Sequence, residues 1–179
     1  MPRLFTGIAI PTEIGAQLAR YRGGLPGARW IEPSDYHITL RFLGDVDGTL
    51  AEDFHALLGE RRSRPPLNIV LDGLAGFGGD RPRAIYAALA PNLDLADLQD
   101  EHERFARRAG AEPERRRFTP HVTLARLRRE AGPETVAGYL ASAGIVPRLS
   151  FTATEVALFS ARESRGGGPY VVEATYPLI

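Results

Sequence analysis

Apolar and polar positions alternate along this chain in two distinct rhythms, and the rhythm changes often. Residues 3–10 form a nearly continuous apolar run, which predicts a buried first strand. Thr12 then reads as the N-cap of a helix over residues 13–22, stopped by Gly23-Gly24. A short strand is expected at 28–31, a turn at 32–35, and a further strand at 36–43 closed by Gly44-Asp45. Leu50, Phe54, Leu57 and Leu58 recur at helical spacing, so residues 49–62 are expected to be helical. Strands follow at 67–74 and 84–89, with a mobile loop at 76–80 between them. The theme then repeats. Leu95, Leu98, His102 and Phe105 mark a helix over 93–109, and a loop at 110–117 leads through Phe118-Thr119-Pro120 to a strand at 121–127. Pro133 suits the first turn of a helix over 133–143. Two strands, near 149–159 and 170–176, close the chain around a glycine-rich link at 164–169. The expected fold class is α+β or α/β, with two mainly antiparallel sheets and outer helices. Residues 1–179 are read as a single bilobal domain, pseudo-twofold related, with its cleft between the lobes.

Two of the strands carry nearly the same peptide: His37-Ile38-Thr39-Leu40 and His121-Val122-Thr123-Leu124. Side chains alternate faces along a strand, so His37, Thr39 and Arg41 are expected on one face, with Ile38, Leu40 and Phe42 on the other. Likewise His121 and Thr123 project together while Val122 and Leu124 enter the core. Arg126 has the wrong parity to join His121 unless the strand bulges or ends near Ala125. Two copies in comparable contexts imply two lobes that each supply one imidazole and one hydroxyl to a shared cleft. His55 and His102 have no matching threonine and are read as ordinary half-exposed residues.

Composition narrows the chemistry without choosing it. The chain has 179 residues, 44% of them hydrophobic and 25% charged, with zero formal net charge. That describes an ordinary globular protein with no overall pull toward nucleic acid. All 22 basic residues are arginine, and several cluster, at 61–64, 104–108, 115–117 and 126–129. Codon bias accounts for the all-arginine set, yet guanidinium forks suit phosphate oxygens wherever they gather. The absence of cysteine excludes disulfides, thiolate metal sites and cysteine nucleophiles. With no secretion signal and no apolar run approaching the roughly 20 residues that span a bilayer, a cytoplasmic location is expected.

Two imidazoles sharing one cleft suggest proton transfer at phosphorus. An unperturbed histidine titrates near 6.5, so one ring can accept a proton while the other donates. Hydrolysis of a cyclic phosphodiester needs water deprotonated, the leaving ribose oxygen protonated, and the non-bridging oxygens stabilised. One neutral and one protonated ring meet the first two needs, and general acid–base catalysis of this kind contributes about 10²–10⁴-fold. The Thr39 and Thr123 hydroxyls are placed to orient the phosphate, and an arginine would stabilise its charge. No cofactor and no metal site is expected.

The paired motifs resemble those of the two-histidine phosphoesterase superfamily, and most closely the RNA 2′,3′-cyclic phosphodiesterases once named 2′-5′ RNA ligases. The resemblance extends over Arg3-Leu4-Phe5, Ala9-Ile10-Pro11, Trp30-Ile31 and Phe42-Leu43-Gly44. It continues through Phe118-Thr119-Pro120, which runs into the second motif and on to Ala125-Arg126, and ends with Phe159-Ser160 and Tyr170. It implies a bilobal fold and hydrolysis of RNA 2′,3′-cyclic phosphate to a 2′-phosphomonoester. By the same carry-over, His37 gives a proton to the departing 3′ oxygen, His121 activates water, and Arg126 contacts substrate. The residues alone leave the two histidine roles interchangeable. Phe42 fits core packing by parity, and Arg41 has no counterpart in the family pattern.

The implied partner is RNA with cyclic phosphate ends, or cyclic nucleotides, and the expected state is a monomer. Two other readings share these residues: the reverse reaction, 2′-5′ ligation, and a non-catalytic RNA-binding surface built on the arginines and Phe118. A zinc site on His37 and His121 lacks an evident third ligand.

Overall fold

The computed structural model describes residues 3–161 and 168–178. Among these residues nine strands are seen: β1 (Arg3–Ala9), β2 (Ala28–Trp30), β3 (His37–Asp45), β4 (Leu67–Phe77), β5 (Ala84–Leu89), β6 (His121–Leu127), β7 (Leu149–Ala153), β8 (Glu155–Ser160) and β9 (Val171–Pro177). The helices are α1 (Thr12–Leu18), α2 (Gly48–Gly59), α3 (Leu93–Ala109) and α4 (Pro133–Ala143), with short 3₁₀ turns at Ala19–Tyr21 and Pro33–Asp35. Among the described residues no helix is long and apolar enough to cross a membrane.

All strand pairings are antiparallel, in the order β7-β4-β5-β6-β3-β1-β8-β9, with β2 also on β6. The expected mixed α and β architecture with antiparallel sheet is therefore present. Between β6 and β3 the ladder narrows to one residue pair, Ile38 opposite Val122. That seam divides the sheet into a β7-β4-β5-β6 group and a β3-β1-β8-β9 group. The groups are not the two halves of the sequence, because β1 and β3 join β8 and β9 in the second while β4 to β7 form the first.

Several boundaries differ from the expectations, each for a local reason. Thr12 is the first residue of α1 rather than its cap; Pro11 takes the cap position and no side chain bonds there. Asp47 and Asn92 do cap, accepting from the Leu50 and Leu95 amides at 2.8 and 2.9 Å. Gly76 and Phe77 belong to β4, so the loop begins only at Gly78. The stretch 149–159 is two strands parted at Thr154, β7 on one edge of the sheet and β8 inside the other group. Apolar and polar residues keep alternating through Thr152-Ala153-Thr154, so nothing local marks where one strand ends and the next begins.

Helices α2 and α3 pack together, and α3 also covers β3. Phe54, Leu58, Leu95 and Leu98 interlock there with Ile38, Ile69, Ile85 and Val122, all almost wholly buried. A smaller cluster of Phe5, Ala157 and Phe159, with Tyr170 against it, is separate from this core.

Candidate active site

Antiparallel pairing of Ile38 with Val122 decides where the motif side chains go. Residues directly opposite across a ladder point to the same face. Both apolar partners are fully buried, so their neighbours His37, Thr39, His121 and Thr123 emerge together on the other face. In this register His37 stands across from Thr123, and Thr39 from His121. The four line one cavity of about 60 Å³ with Ile31, Asp35, Arg126 and Tyr170.

Both motif strands contain the same irregularity. Opposite β1, Gly7 pairs with Thr39 but Thr6 with Arg41, leaving Leu40 as an extra residue. Opposite β5, Tyr86 pairs with Thr123 but Ile85 with Ala125, leaving Leu124 extra. A bulge of one residue reverses the parity of everything after it. The two strands accordingly share a burial pattern, with Leu40-Arg41 and Leu124-Ala125 both buried and then Phe42 and Arg126 exposed. Arg126 thereby reaches the pocket, through the bulge its parity required. The expectations for Arg41 and Phe42 are overturned. Phe42 is 43% exposed and lines the cleft beside Thr39, whereas Arg41 is 5% exposed and turns to the helix side. There its Nε meets Glu103 at 2.6 Å, and its terminal nitrogens donate to the Phe42 and Glu112 carbonyls, each at 2.5 Å.

Backbone carbonyls set the state of both imidazoles. His37 Nδ1 lies 2.9 Å from the Asp35 carbonyl, and His121 Nδ1 lies 2.6 Å from that of Thr119. A carbonyl only accepts, so Nδ1 carries the proton in each neutral ring and the Nε2 lone pair is left for the pocket. For His37 that lone pair receives the Thr39 hydroxyl at 2.9 Å. Burial pulls the His37 pKa down to about 4, aided by the charges of His121 and Arg126 and opposed by the Asp35 carbonyl. Burial also lowers His121, with Arg126 adding to it and the Thr119 carbonyl opposing.

The rings have aromatic surroundings that the periodicity did not disclose. His37 packs on Phe5 and Phe159 and meets Tyr170 edge-on at 5.0 Å. His121 stands edge-on to Phe77 and Tyr86, which stack on each other at 4.0 Å. Of these, Phe5, Phe159 and Tyr170 were visible only through the family resemblance. Gly7 is required beside them, since a Cβ there would lie 2.5 Å from the Ile38 carbonyl oxygen.

A groove of about 360 Å³ leads away from Thr39 and His121 between Phe42, Phe77 and Phe118, with Arg83, Arg116, Arg117 and Arg126 along it. The other basic clusters do not converge here. Arg62 and Arg64 pair with Asp97, Arg64 also with Glu101, and Arg107 with Glu103. His55 is exposed, as expected, but His102 is only 1% exposed; it bonds Thr6 at 2.8 Å, and burial holds it neutral with a pKa near 3. Of the glycine-rich link, residues 164–167 fall outside the described residues. Among those described, no group of three or more metal-ligating side chains gathers.

Comparison with known proteins finds relatives in both sequence and fold. The sequence profile of the 2′-5′ RNA ligase superfamily matches residues 10–165. An RNA 2′,3′-cyclic phosphodiesterase of Bacillus subtilis is 35% identical over 130 residues, covering 70% of this chain and 71% of that protein. The Escherichia coli protein of the same name is 29% identical over 172 residues, 94% of this chain and 92% of that one. Among solved structures, E. coli LigT complexed with 3′-AMP superposes with a TM-score of 0.78 at 27% identity, covering 99% of each chain.

Proposed function

Since the chain belongs to the 2′-5′ RNA ligase superfamily, we propose that it hydrolyses RNA 2′,3′-cyclic phosphodiester ends to 2′-phosphomonoesters by two-histidine acid–base catalysis. One observation carries this reading: two imidazoles of fixed tautomer present their Nε2 atoms to one pocket that also holds two hydroxyls and a guanidinium. In this reading residues 1–179 act as one bilobal domain and a cytoplasmic monomer.

The cyclic phosphate sits between the rings. His121 Nε2 takes a proton from water as its oxygen bonds to phosphorus. The P–O3′ bond breaks, and O3′ receives the proton carried by His37 Nε2, leaving the phosphate on the 2′ oxygen. Both rings are neutral in the empty site, so His37 gains its proton as the anionic substrate arrives and offsets the burial that lowers it. Thr39 and Thr123 hold the non-bridging oxygens, and Arg126 supplies positive charge where water is partly excluded.

The test is product analysis on a cyclic-ended RNA in EDTA. The expected product is the 2′-phosphate, and His37→Ala or His121→Ala should each slow its formation by about 10²–10⁴-fold. A substrate whose aryl leaving group needs no proton should restore His37→Ala but not His121→Ala; the opposite pattern exchanges their roles. Full turnover in both variants, or ligated RNA as the main product, overturns the proposal.

A further inference from the structure

Asp35 belongs to neither motif, yet both its main chain and its side chain serve the site. Its carbonyl holds Nδ1 of His37 at 2.9 Å. Its carboxylate reaches to the far end of the sequence, where Oδ1 accepts the Tyr170 amide at 3.2 Å. The backbone of Gly168 lies so close that a Cβ there would overlap the carboxylate, and its φ of +94° itself favours glycine. The segment tied down in this way carries Tyr170, whose ring is edge-on to His37 (5.0 Å, 88°) and to Phe5 (5.0 Å, 80°). Tyr170 is also a wall of two of the cavities that His37 lines.

Resting on the phosphodiesterase reading, we propose that Asp35 is a positioning residue whose carboxylate fixes Tyr170 as the wall that closes the pocket against His37. The first motif and the approach to β9 lie far apart in sequence, and β3 and β9 are not neighbours in the sheet. The carboxylate is a direct polar tie between them at the reacting ring. An edge-on ring at 5.0 Å leaves no room for water between it and the imidazole. Losing the tie lets Tyr170 drift, hydrates His37 and loosens the geometry in which its Nε2 meets the leaving oxygen. Among the described residues, the charged or titratable groups that share a cavity with His37 are Asp35 beside it, His121 and Arg126 from β6, Arg3 from β1, and the Tyr170 phenol. Among these, only the placement of Tyr170 depends on the Asp35 carboxylate.

The experiment is a short series at position 35 crossed with Tyr170→Ala. It is read by kcat and KM on a 2′,3′-cyclic mononucleotide and by NMR titration of the His37 ring. Asp35→Asn retains an oxygen acceptor and should keep kcat near that of the native protein. Asp35→Ala removes the acceptor and Asp35→Glu displaces it, so each should lower kcat roughly 10- to 100-fold, with a smaller change in KM. In both, the His37 pKa should rise from about 4 toward that of a solvated histidine. Adding Asp35→Ala to Tyr170→Ala should cost nothing further, because the two act through one contact. The proposal is overturned if Asn is as damaging as Ala, if the two losses add, or if the His37 titration is unmoved. The titration needs no turnover, so a protein inactive on every cyclic phosphate would sink the catalytic reading while still testing the tie.

Discussion

At the scale of single residues, the informative contrast is among histidines. His37, His102 and His121 all have lowered pKa values for the same first cause, burial, but only two of them face a pocket. The third closes a hydrogen bond to Thr6 behind the sheet. Sequence spacing put His102 on the apolar stripe of α3, but a stripe does not reveal whether a buried polar partner awaits it. Thr6 is that partner, and it arrives from a strand 96 positions earlier. The two pocket histidines carry a pH prediction whose sign follows from burial. The proposed mechanism needs one ring protonated and one neutral in the free enzyme. With His37 near 4 and His121 below its ordinary 6.5, the protonated partner becomes scarcer as pH rises past 6.5. We therefore expect kcat/KM to peak on the acid side of 6.5 and to fall about tenfold per pH unit above it. A kcat/KM flat up to pH 8 contradicts this assignment.

At the scale of elements, the two bulges decide more than the motifs do. Alternation along a strand correctly placed His37 with Thr39 and His121 with Thr123. It failed one step later, because the extra residue at Leu40 and at Leu124 is set by the partner strand. The sequence allowed for a bulge at Arg126, where an arginine needed accommodating, and not at Arg41, where alternation already read as complete. Adjacent residues should therefore respond in opposite ways to truncation. Arg41→Ala leaves Glu103 short of a partner and frees the Phe42 and Glu112 carbonyls, so unfolding in urea should show a loss on the order of 3 kcal/mol. Phe42→Ala should cost no more than about 1 kcal/mol and appear instead as a higher KM for RNA. Equal stability losses in the two variants would restore simple alternation.

At the scale of the whole molecule, the single bridge between Ile38 and Val122 holds the two sheet groups side by side, and one buried cluster runs beneath both. The first and last strands belong to the same group, so that group cannot close until the other has been traversed. Unfolding should therefore be a single transition. Trp30, the sole tryptophan, lies in β2 against Tyr139 and reports on the β6 group, while far-UV circular dichroism reports on both. Their urea midpoints should coincide, and separate midpoints would mean two independent lobes. What the amino-acid order settled alone was local. The changing apolar rhythm gave nearly every helix and strand, and two repeated tetrapeptides gave four of the side chains that line the pocket, because alternation and helical spacing are properties of neighbouring residues. Strand pairing across the seam, the bulges that turn Phe42 and Arg126 into the cleft, the burial of His102 and the arrival of Tyr170 beside His37 were decided only in three dimensions. Each depends on contacts between segments that the chain brings together after long detours, and no local pattern records them.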